Sequence, residues 1–473
     1  MRFVRTKFIA MLLGPAGTGF VAQLTIFFEA LRVWGDLGSR RGVIKQVAER
    51  RQEGRESPHY RQVVSTSYFL AIAASLVAGT GVSFFSHHLS QMLFGNDSAV
   101  HYIIFLGLLL PFASVSTITA CIVKGNLDFR PFAIYTLVSY IFVMLLTPFL
   151  VYRFLIWGAL IVQALFFIFP LIGYLLYNAK KRFLNFAPTI SLSALKEQFS
   201  YGALYIYQDS LTHLCRIIIA AWIVKRLGLD AMGLYQVVVT FSTVYLAIPM
   251  QAISGYTFPL IAAAQSKGEI NQAVNDSMRF LLFVLVPVIA SLMIWPELLI
   301  RLFFSSDFVS AAPVLRLQLF GTVFTLIMQS YGSGLGAKGN LKAVFIGATV
   351  NPFIFILLSA LFFKSYGLTG VAAASSVSYF VLLIIYLVCM KHYYGTSINP
   401  KNQRLLIASF TWLIAAYSGS FFYDSILYRA AMLGAGILWF FYSSKDHERQ
   451  YLFDKACSIL GIKKTRVKRP VKP

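Results

Sequence analysis

The 473 residues are 58% hydrophobic and 16% aromatic, with 12% charged and a mean hydropathy of +0.70. Soluble domains carry about 25% charged and about 45–50% apolar residues, so a soluble enzyme and a disordered chain are both excluded, and apolar runs along the whole length make this a polytopic membrane protein. Lys and Arg total 41 against 18 acids, a formal charge of +23, and the placement of those charges decides what they mean.

In chain order, windows of about 19 residues predict full spans at Gly17–Leu37, Val63–Phe85, Val100–Val123, Pro131–Tyr152, Leu155–Tyr177 and Tyr201–Val224. They continue at Gly233–Phe258, Met278–Phe303, Val314–Leu335, Ala343–Phe363, Leu368–Met390, Leu405–Tyr423 and Ile426–Tyr442. The stretch before Gly14 is apolar too, but its 13 residues reach only roughly 20 Å against a hydrocarbon core of roughly 30 Å. It reads as the second part of a helix begun upstream. A signal peptide is not indicated, because no small-residue cleavage site follows and the next span comes almost at once. The expected fold is an all-α polytopic bundle of about 13 full spans plus a partial first helix.

With the loop after the first full span taken as cytoplasmic, 29 Lys and Arg fall inside; Arg153, Lys225, Arg226, Arg301, Lys364 and Arg429 are the six outside. This bias orients the C-terminus to the cytoplasm. The basic tail beyond Lys463 needs only anionic lipid, so no nucleic-acid partner is required. Of the four cysteines, Cys121, Cys215 and Cys389 lie in apolar stretches and Cys457 in the tail. None forms a CxxC pair, so neither a disulfide framework nor a metal site is supported, and no cofactor is expected.

Two strings recur. Leu13-Gly14-Pro15-Ala16-Gly17-Thr18-Gly19 is echoed by Leu227-Gly228-Leu229-Asp230-Ala231-Met232-Gly233, and Lys124-Gly125-Asn126-Leu127 returns as Lys338-Gly339-Asn340-Leu341, both at an offset of 214 residues. An even number of spans separates the copies, which predicts two like-oriented lobes about an axis along the membrane normal. The expected division is an N-lobe at 1–177, a basic linker at 178–200 and a C-lobe at 201–390, then two extra helices at 391–443 and a basic cytoplasmic tail at 444–473. Pro111, Pro148, Pro170, Pro249, Pro287 and Pro352 lie inside spans, where each removes a backbone hydrogen bond and can bend its helix.

These features together resemble the polysaccharide transporters of the MOP superfamily, particularly Wzx-type O-antigen and related oligosaccharide flippases. The resemblance is carried by Lys7-x-x-Ala10-x-x-Leu13-Gly14-Pro15 followed by Gly17-x-Gly19, and by the charged Gly38 to Arg55 segment with Val43-Ile44-Lys45-Gln46-Val47-Ala48. Ala337-Lys338-Gly339 at a late helix end and Phe199-Ser200-Tyr201-Gly202 at the start of the second lobe add to it. It runs over most of residues 1–390. It implies a MATE-like two-lobed bundle that moves an undecaprenyl-diphosphate-linked glycan across the bacterial inner membrane by alternating access. The implied partners are that glycan, membrane lipids and polysaccharide polymerase or assembly proteins. A single chain with two lobes needs no second copy to form its cleft, so a monomer is expected.

Such a carrier must shelter an anionic headgroup and a polar glycan at membrane depth, which calls for fixed cations in an enclosed wet cleft. An arginine at a helix centre costs about 2.5–3.5 kcal/mol on insertion scales, so it is expected to face the cleft or a partner. Asp209, His213 and Arg216 are spaced i, i+4, i+7 and share one helical face with Tyr205 nearby. At the 214-residue offset Arg216 matches Arg2. Two readings stay open: a substrate site, or a buried network in which the three satisfy one another. Glu29 and Arg32, at i, i+3, can pair in the same way, and Asp36 reads as a solvated helix end. Lys7 and Arg5 are candidates that can also snorkel. Arg316 reads as an interfacial anchor, and Lys124 and Lys338 as structural helix-end lysines.

Three function classes compete. An enzyme (glycosyltransferase, acyltransferase or polymerase) would need catalytic groups on a sizeable loop. The longest outside loop, Ser86–Ala99, offers only His87, His88 and Asp97, and no HExxH, DxD or Gly-x-Ser-x-Gly occurs. A small-molecule antiporter of the same fold would want a buried carboxylate, for which Asp209 and Glu29 are the candidates. The flippase accounts for the membrane cations best, and no enzymatic activity is expected.

Overall fold

The computed structural model describes residues 2–187, 190–422 and 425–443, and among them every regular element is helical. In chain order these are α1 (Arg2–Gly35), α2 (Arg40–Arg50), α3 (Pro58–Phe84), α4 (Ser86–Phe94), α5 (Val100–Gly125), α6 (Phe129–Lys181) and α7 (Leu192–Val239). They continue as α8 (Leu246–Ala263), α9 (Lys267–Ile294), α10 (Pro296–Phe303), α11 (Ala312–Ala337), α12 (Leu341–Tyr394), α13 (Pro400–Phe422) and α14 (Ile426–Ser443). A π-helical turn, Thr240–Tyr245, joins α7 to α8. The expected basic tail at 444–473 lies outside the described residues.

Eight stretches are long and apolar enough to cross a membrane, and three of them, Phe129–Lys181, Ile206–Ala263 and Leu341–Tyr394, run to 53, 58 and 54 residues. A bilayer needs about 20. Each is broken by one residue at positive φ: Leu155 (49°), Gly228 (87°) and Gly367 (54°). The breaks in α6 and α12 are reversals. A Cβ on Gly158 would overlap the Leu150 carbonyl, one on Gly370 the Phe362 carbonyl, and Tyr140 packs edge-on against Phe166 at 5.0 Å across the α6 hairpin. In α1 the break falls at Gly14 (φ 64°), with Pro15 opening the next piece, where its missing N–H is not needed. The three breaks turn the eight apolar stretches into eleven segments behind a short first piece, and α13 and α14, which are not among the eight, bring the long helical segments to the 13 expected.

Glycine takes these conformations freely, but Leu155 does not. Holding a side chain there costs of order 1–3 kcal/mol. Leu155→Gly is therefore expected to stabilise the purified protein by about 1 kcal/mol, read as a raised thermal unfolding midpoint. A lowered midpoint would show that the leucine's contacts outweigh its strain.

Two large apolar clusters make up most of the core. One gathers Phe241, Phe304, Phe308 and Tyr331 with side chains from α8 to α13. The other is built from α1, α4, α5 and α6, together with Cys215, Ile219 and Ile223 of α7. A smaller cluster ties α2 to α3, α5 and α6 through Val43, Tyr60, Ile118 and Tyr174. Helices α5 and α11 are 26 residues each, and α6 and α12 are 53 and 54; both pairs begin 212 residues apart, at 100 and 312 and at 129 and 341. The recurring Lys-Gly-Asn-Leu string is therefore two residues out of helix register. Its first copy takes positive φ at Leu127, its second at Gly339.

The last two helices dock on α9. Trp412 and Trp439 pack at 5.5 Å, and Phe283 of α9 stacks on Trp439 at 5.9 Å. Below them Asn275 is 1% exposed. It donates to Ser397 O (2.8 Å) and accepts at Oδ1 from Asn399 N and Asn402 Nδ2 (both 3.0 Å). Leucine in its place would take the side-chain partner from Ser397 O and the Asn399 N–H, at about 1–3 kcal/mol for each group left buried and unpaired, while Asn402 Nδ2 keeps its bond to the backbone carbonyl at position 275 at 2.9 Å. Asn275→Leu is therefore expected to lower the thermal midpoint clearly and to open the 395–400 turn to proteolysis; an unchanged midpoint would contradict it.

Candidate functional site

Helices α1 and α7 run side by side and touch at both ends. At one end Gly19 and Gly233 interlock. A Cβ on Gly19 would overlap the Leu229 carbonyl, and a Cβ on Gly233 would overlap the Pro15 carbonyl. Only glycine lets two backbones cross this closely. At the other end a Cβ on Gly38 would strike Ile206, and one on Gly42 would press on the Gln198 backbone. There Gln198 donates to Gln46 Oε1 and Ser67 Oγ, both at 2.9 Å, and Gln46 donates to Ala194 O at 3.1 Å.

Between these contacts sit the charged residues singled out in the sequence. Arg32 donates to Glu29 Oε2 at 2.8 Å and to Thr117 Oγ1 of α5 at 3.3 Å, and its guanidinium lies 4.6 Å from the centre of the Phe167 ring of α6. Its side chain is 15% exposed and that of Glu29 42%. Arg32 is thus a paired, sheltered cation, while Glu29 keeps one face open. On α7, His213 lies within electrostatic reach of Arg216, Glu29, Asp209 and Arg40, so the α7 stripe looks toward α1. The His213 Nδ1 is buried with no hydrogen-bond partner.

Asp209 and Arg216 are exposed, and no ion pair joins Asp209, His213 and Arg216 among the described residues. The mutual network that the spacing allowed is not formed. Arg216 makes no hydrogen bond or ion pair among the described residues, although its charge acts on Tyr235 and on Tyr379 of α12. It lies 12 residues before the Gly228 break, roughly 18 Å along the helix. That places a cation unpaired among the described residues in the middle of an apolar stretch, within electrostatic reach of α12.

The other candidates separate. Lys7 donates to the Leu302 carbonyl at 2.7 Å, away from this stripe, and Arg5 stacks over Phe166 at 5.0 Å. The side chains of Arg2 and Tyr205 lie outside the described residues. Asp36 is not a solvated helix end: it is 2% exposed and holds Arg40 Nε at 2.5 Å and the Gly38 N–H at 3.1 Å, closing the turn into α2. Arg316, read as an interfacial anchor, instead ties α11 to α10 and α9 through Glu297 (2.8 Å) and Met293 O (3.2 Å). Lys338 caps α8 at the carbonyls of Ala262 and Ala264, and Lys124 sits over Phe132 at 4.2 Å. His87 meets Asp97 at 3.7 Å on the surface, and no group of three metal-binding side chains exists among the described residues.

Sequence reasoning missed Thr117 and Phe167, which seat Arg32, and Tyr235 and Tyr379, which face Arg216. Phe167 is one of 43 phenylalanines, and nothing local marks it out. Tyr379 lies 163 residues from Arg216, and only the tertiary fold brings the two together.

Comparison with known proteins identifies the fold. The lipid III flippase of Escherichia coli (strain K12) is 24% identical over 386 residues, covering 79% of this chain and 90% of its own length. A solved lipid II flippase MurJ in an inward closed conformation superposes with a TM-score of 0.67 at 18% identity, over 95% of this chain and 99% of that one. An inward-facing multidrug-resistance MATE transporter of the MOP superfamily gives 0.69 at 16% identity, over 83% and 93%. At such identity the solved structures show the fold, and that fold is the MATE-like bundle expected of the MOP superfamily. A family described as polysaccharide biosynthesis protein matches residues 8–313, well over half of the chain, and to that family the chain belongs.

Proposed function

We propose that this protein carries a lipid-diphosphate-linked oligosaccharide, an O-antigen or other surface-polysaccharide unit, across the bacterial inner membrane by alternating access of its two lobes. The observation that carries this reading is Arg216 of α7, exposed and without an ion-pair partner among the described residues. An intramembrane arginine with no protein partner is costly and serves as a receptor for an anion. Glu29 and Arg32 pair with each other, so the cation of the stripe left without an ion pair among the described residues is Arg216. Asp209 and His213 share its face and are the titratable groups for coupling to protons or sodium.

The names of the relatives support this substrate class. Lipid III and lipid II are what those proteins are named for flipping, and here they suggest a polyprenyl-linked glycan. Deleting the gene should leave one lipid-linked glycan accumulated on the cytoplasmic leaflet, identified by extraction and mass spectrometry. Normal surface polysaccharide with no accumulated intermediate would overturn the reading. Transport in reconstituted vesicles indifferent to both pH and sodium would remove the coupling role of Asp209 and His213. A small-molecule antiporter of the same fold would instead show ion-driven efflux lost on Asp209→Asn.

A further inference from the structure

The C-lobe contains a cavity of about 230 Å³ that the charged stripe does not use. Along α11 its wall is Gln318, Thr322, Thr325 and Gln329, spaced 4, 3 and 4 apart on one helical face. The π-helical turn closes it with Ser242 and Thr243, and Tyr379 lines its edge. Irregular π geometry often accompanies functional sites because it re-aims side chains inside a helix. Tyr379 also lies within electrostatic reach of Arg216, which does not itself line the cavity.

Its hydrogen-bonding character is specific. Ser242 and Thr243 give their hydroxyl protons to the Val238 and Val239 carbonyls at 2.7 and 2.8 Å. Thr322 and Thr325 give theirs to Gln318 O and Gly321 O at 3.3 and 3.0 Å. Gln318 and Gln329 spend amide protons on Ser375 and Ser254 at 2.8 and 3.2 Å. What remains to face the cavity is a mixture of oxygen acceptors and donors, the donors being the Gln251 amide, the Tyr379 hydroxyl and the second amide protons of Gln318 and Gln329. None of the lining residues is charged. A cation would find no carboxylate to offset its dehydration and would be repelled by Arg216. An acidic group would find no cation among the lining side chains to offset its dehydration.

A neutral molecule rich in hydroxyls, which both donate and accept, suits an uncharged lining of this mixed character. The volume holds on the order of eight waters, which is the scale of a single pyranose ring and far less than an oligosaccharide.

We propose that this cavity is a sugar subsite: it takes one uncharged hexose or N-acetylhexosamine, the unit joined to the diphosphate, while Arg216 holds the diphosphate itself. The proposal rests on the substrate reading above and sharpens it. The remaining glycan then extends away from the cavity, so selectivity is exerted on the first sugar and on its lack of charge.

The test uses the full chain in lipid nanodiscs and two probes of equal chain length: polyprenyl diphosphate, and polyprenyl diphosphate bearing one N-acetylhexosamine. The sugar should tighten binding about tenfold, the return expected from one or two net hydrogen bonds. Thr325→Val and Gln329→Leu should each shrink that increment several-fold while binding of the bare diphosphate stays unchanged, which also certifies the fold of the variants. Thr325→Ser should keep the increment. Equal affinity for the two probes in the native chain, or variants that weaken both probes alike, would overturn the subsite and leave the diphosphate reading standing. An increment present only with sodium would reassign the cavity to a cation and overturn it too. Failure of the native chain to bind either probe would overturn the carrier reading, and the subsite with it.

Discussion

Arg216→Ala is expected to lower transport about tenfold to a hundredfold, the loss of one charge-assisted contact to a phosphate at about 1.5–3 kcal/mol, while protein in the membrane stays level or rises. The second half of this expectation gives it discriminating force. Arg216 makes no hydrogen bond or ion pair among the described residues, so its removal breaks nothing in the resting fold. It also relieves a side chain whose insertion costs about 2.5–3.5 kcal/mol. A structural arginine behaves in the opposite way, because deleting it orphans its partners and stability falls. Arg32→Ala supplies that contrast within one protein. It strands Glu29, empties the seat over Phe167 and should reduce membrane levels and transport together. Arg216→Lys should restore part of the activity, since an ammonium keeps the charge but not the two-pronged grip. Transport by vesicles matched for protein content, measured beside thermal unfolding, separates these outcomes. Equal loss of activity and stability in Arg216→Ala would defeat the anion-receptor role.

The second large effect is expected at the crossing of α1 and α7. Gly19→Ala and Gly233→Ala each add one methyl group where the nearest atoms are the backbone carbonyls of Leu229 and Pro15, which no rotamer change can move. Overpacking of this kind costs about 1–3 kcal/mol in ordinary cores and more where backbone must shift. The helices must part for the methyl to fit, so both variants should lower the unfolding midpoint and cut transport at least about tenfold. The pair should not be additive: once either methyl has parted the crossing, the other meets little resistance. Full additivity in the double variant would show that the two contacts are independent and would refute the single crossing described here.

Much of this architecture is legible in sequence because membrane burial is read directly from the length of apolar runs. The α6 reversal is found by composition only because Arg153 interrupts the run just before Leu155; the φ of Leu155 itself leaves no mark. The spacing of Asp209, His213 and Arg216 reveals a stripe on one helix. The groups that answer it, Glu29 on α1 and Tyr379 on α12, come from distant parts of the chain and are supplied only by folding. Asp36 was misread for a related reason: a carboxylate beside a helix end is solvated by default, and its burial under Arg40 depends on how tightly the chain turns into α2. The Gln318-Thr322-Thr325-Gln329 stripe is plainly periodic, yet uncharged residues cost little in a membrane helix and so attract no notice.

The two crossing helices leave their contact unequally. After Gly35 the first chain halts at Asp36–Ser39 and starts again as α2, whereas beyond Gly233 the second runs on through its π-helical turn into α8 as far as Ala263. One arm therefore carries an elbow at a point, and the other is continuous, with its π-helical turn, Pro249 and Pro259 spread along it. In the alternating access proposed above, the first arm is expected to fold at its elbow while the second flexes along its length, so the two halves move unequally.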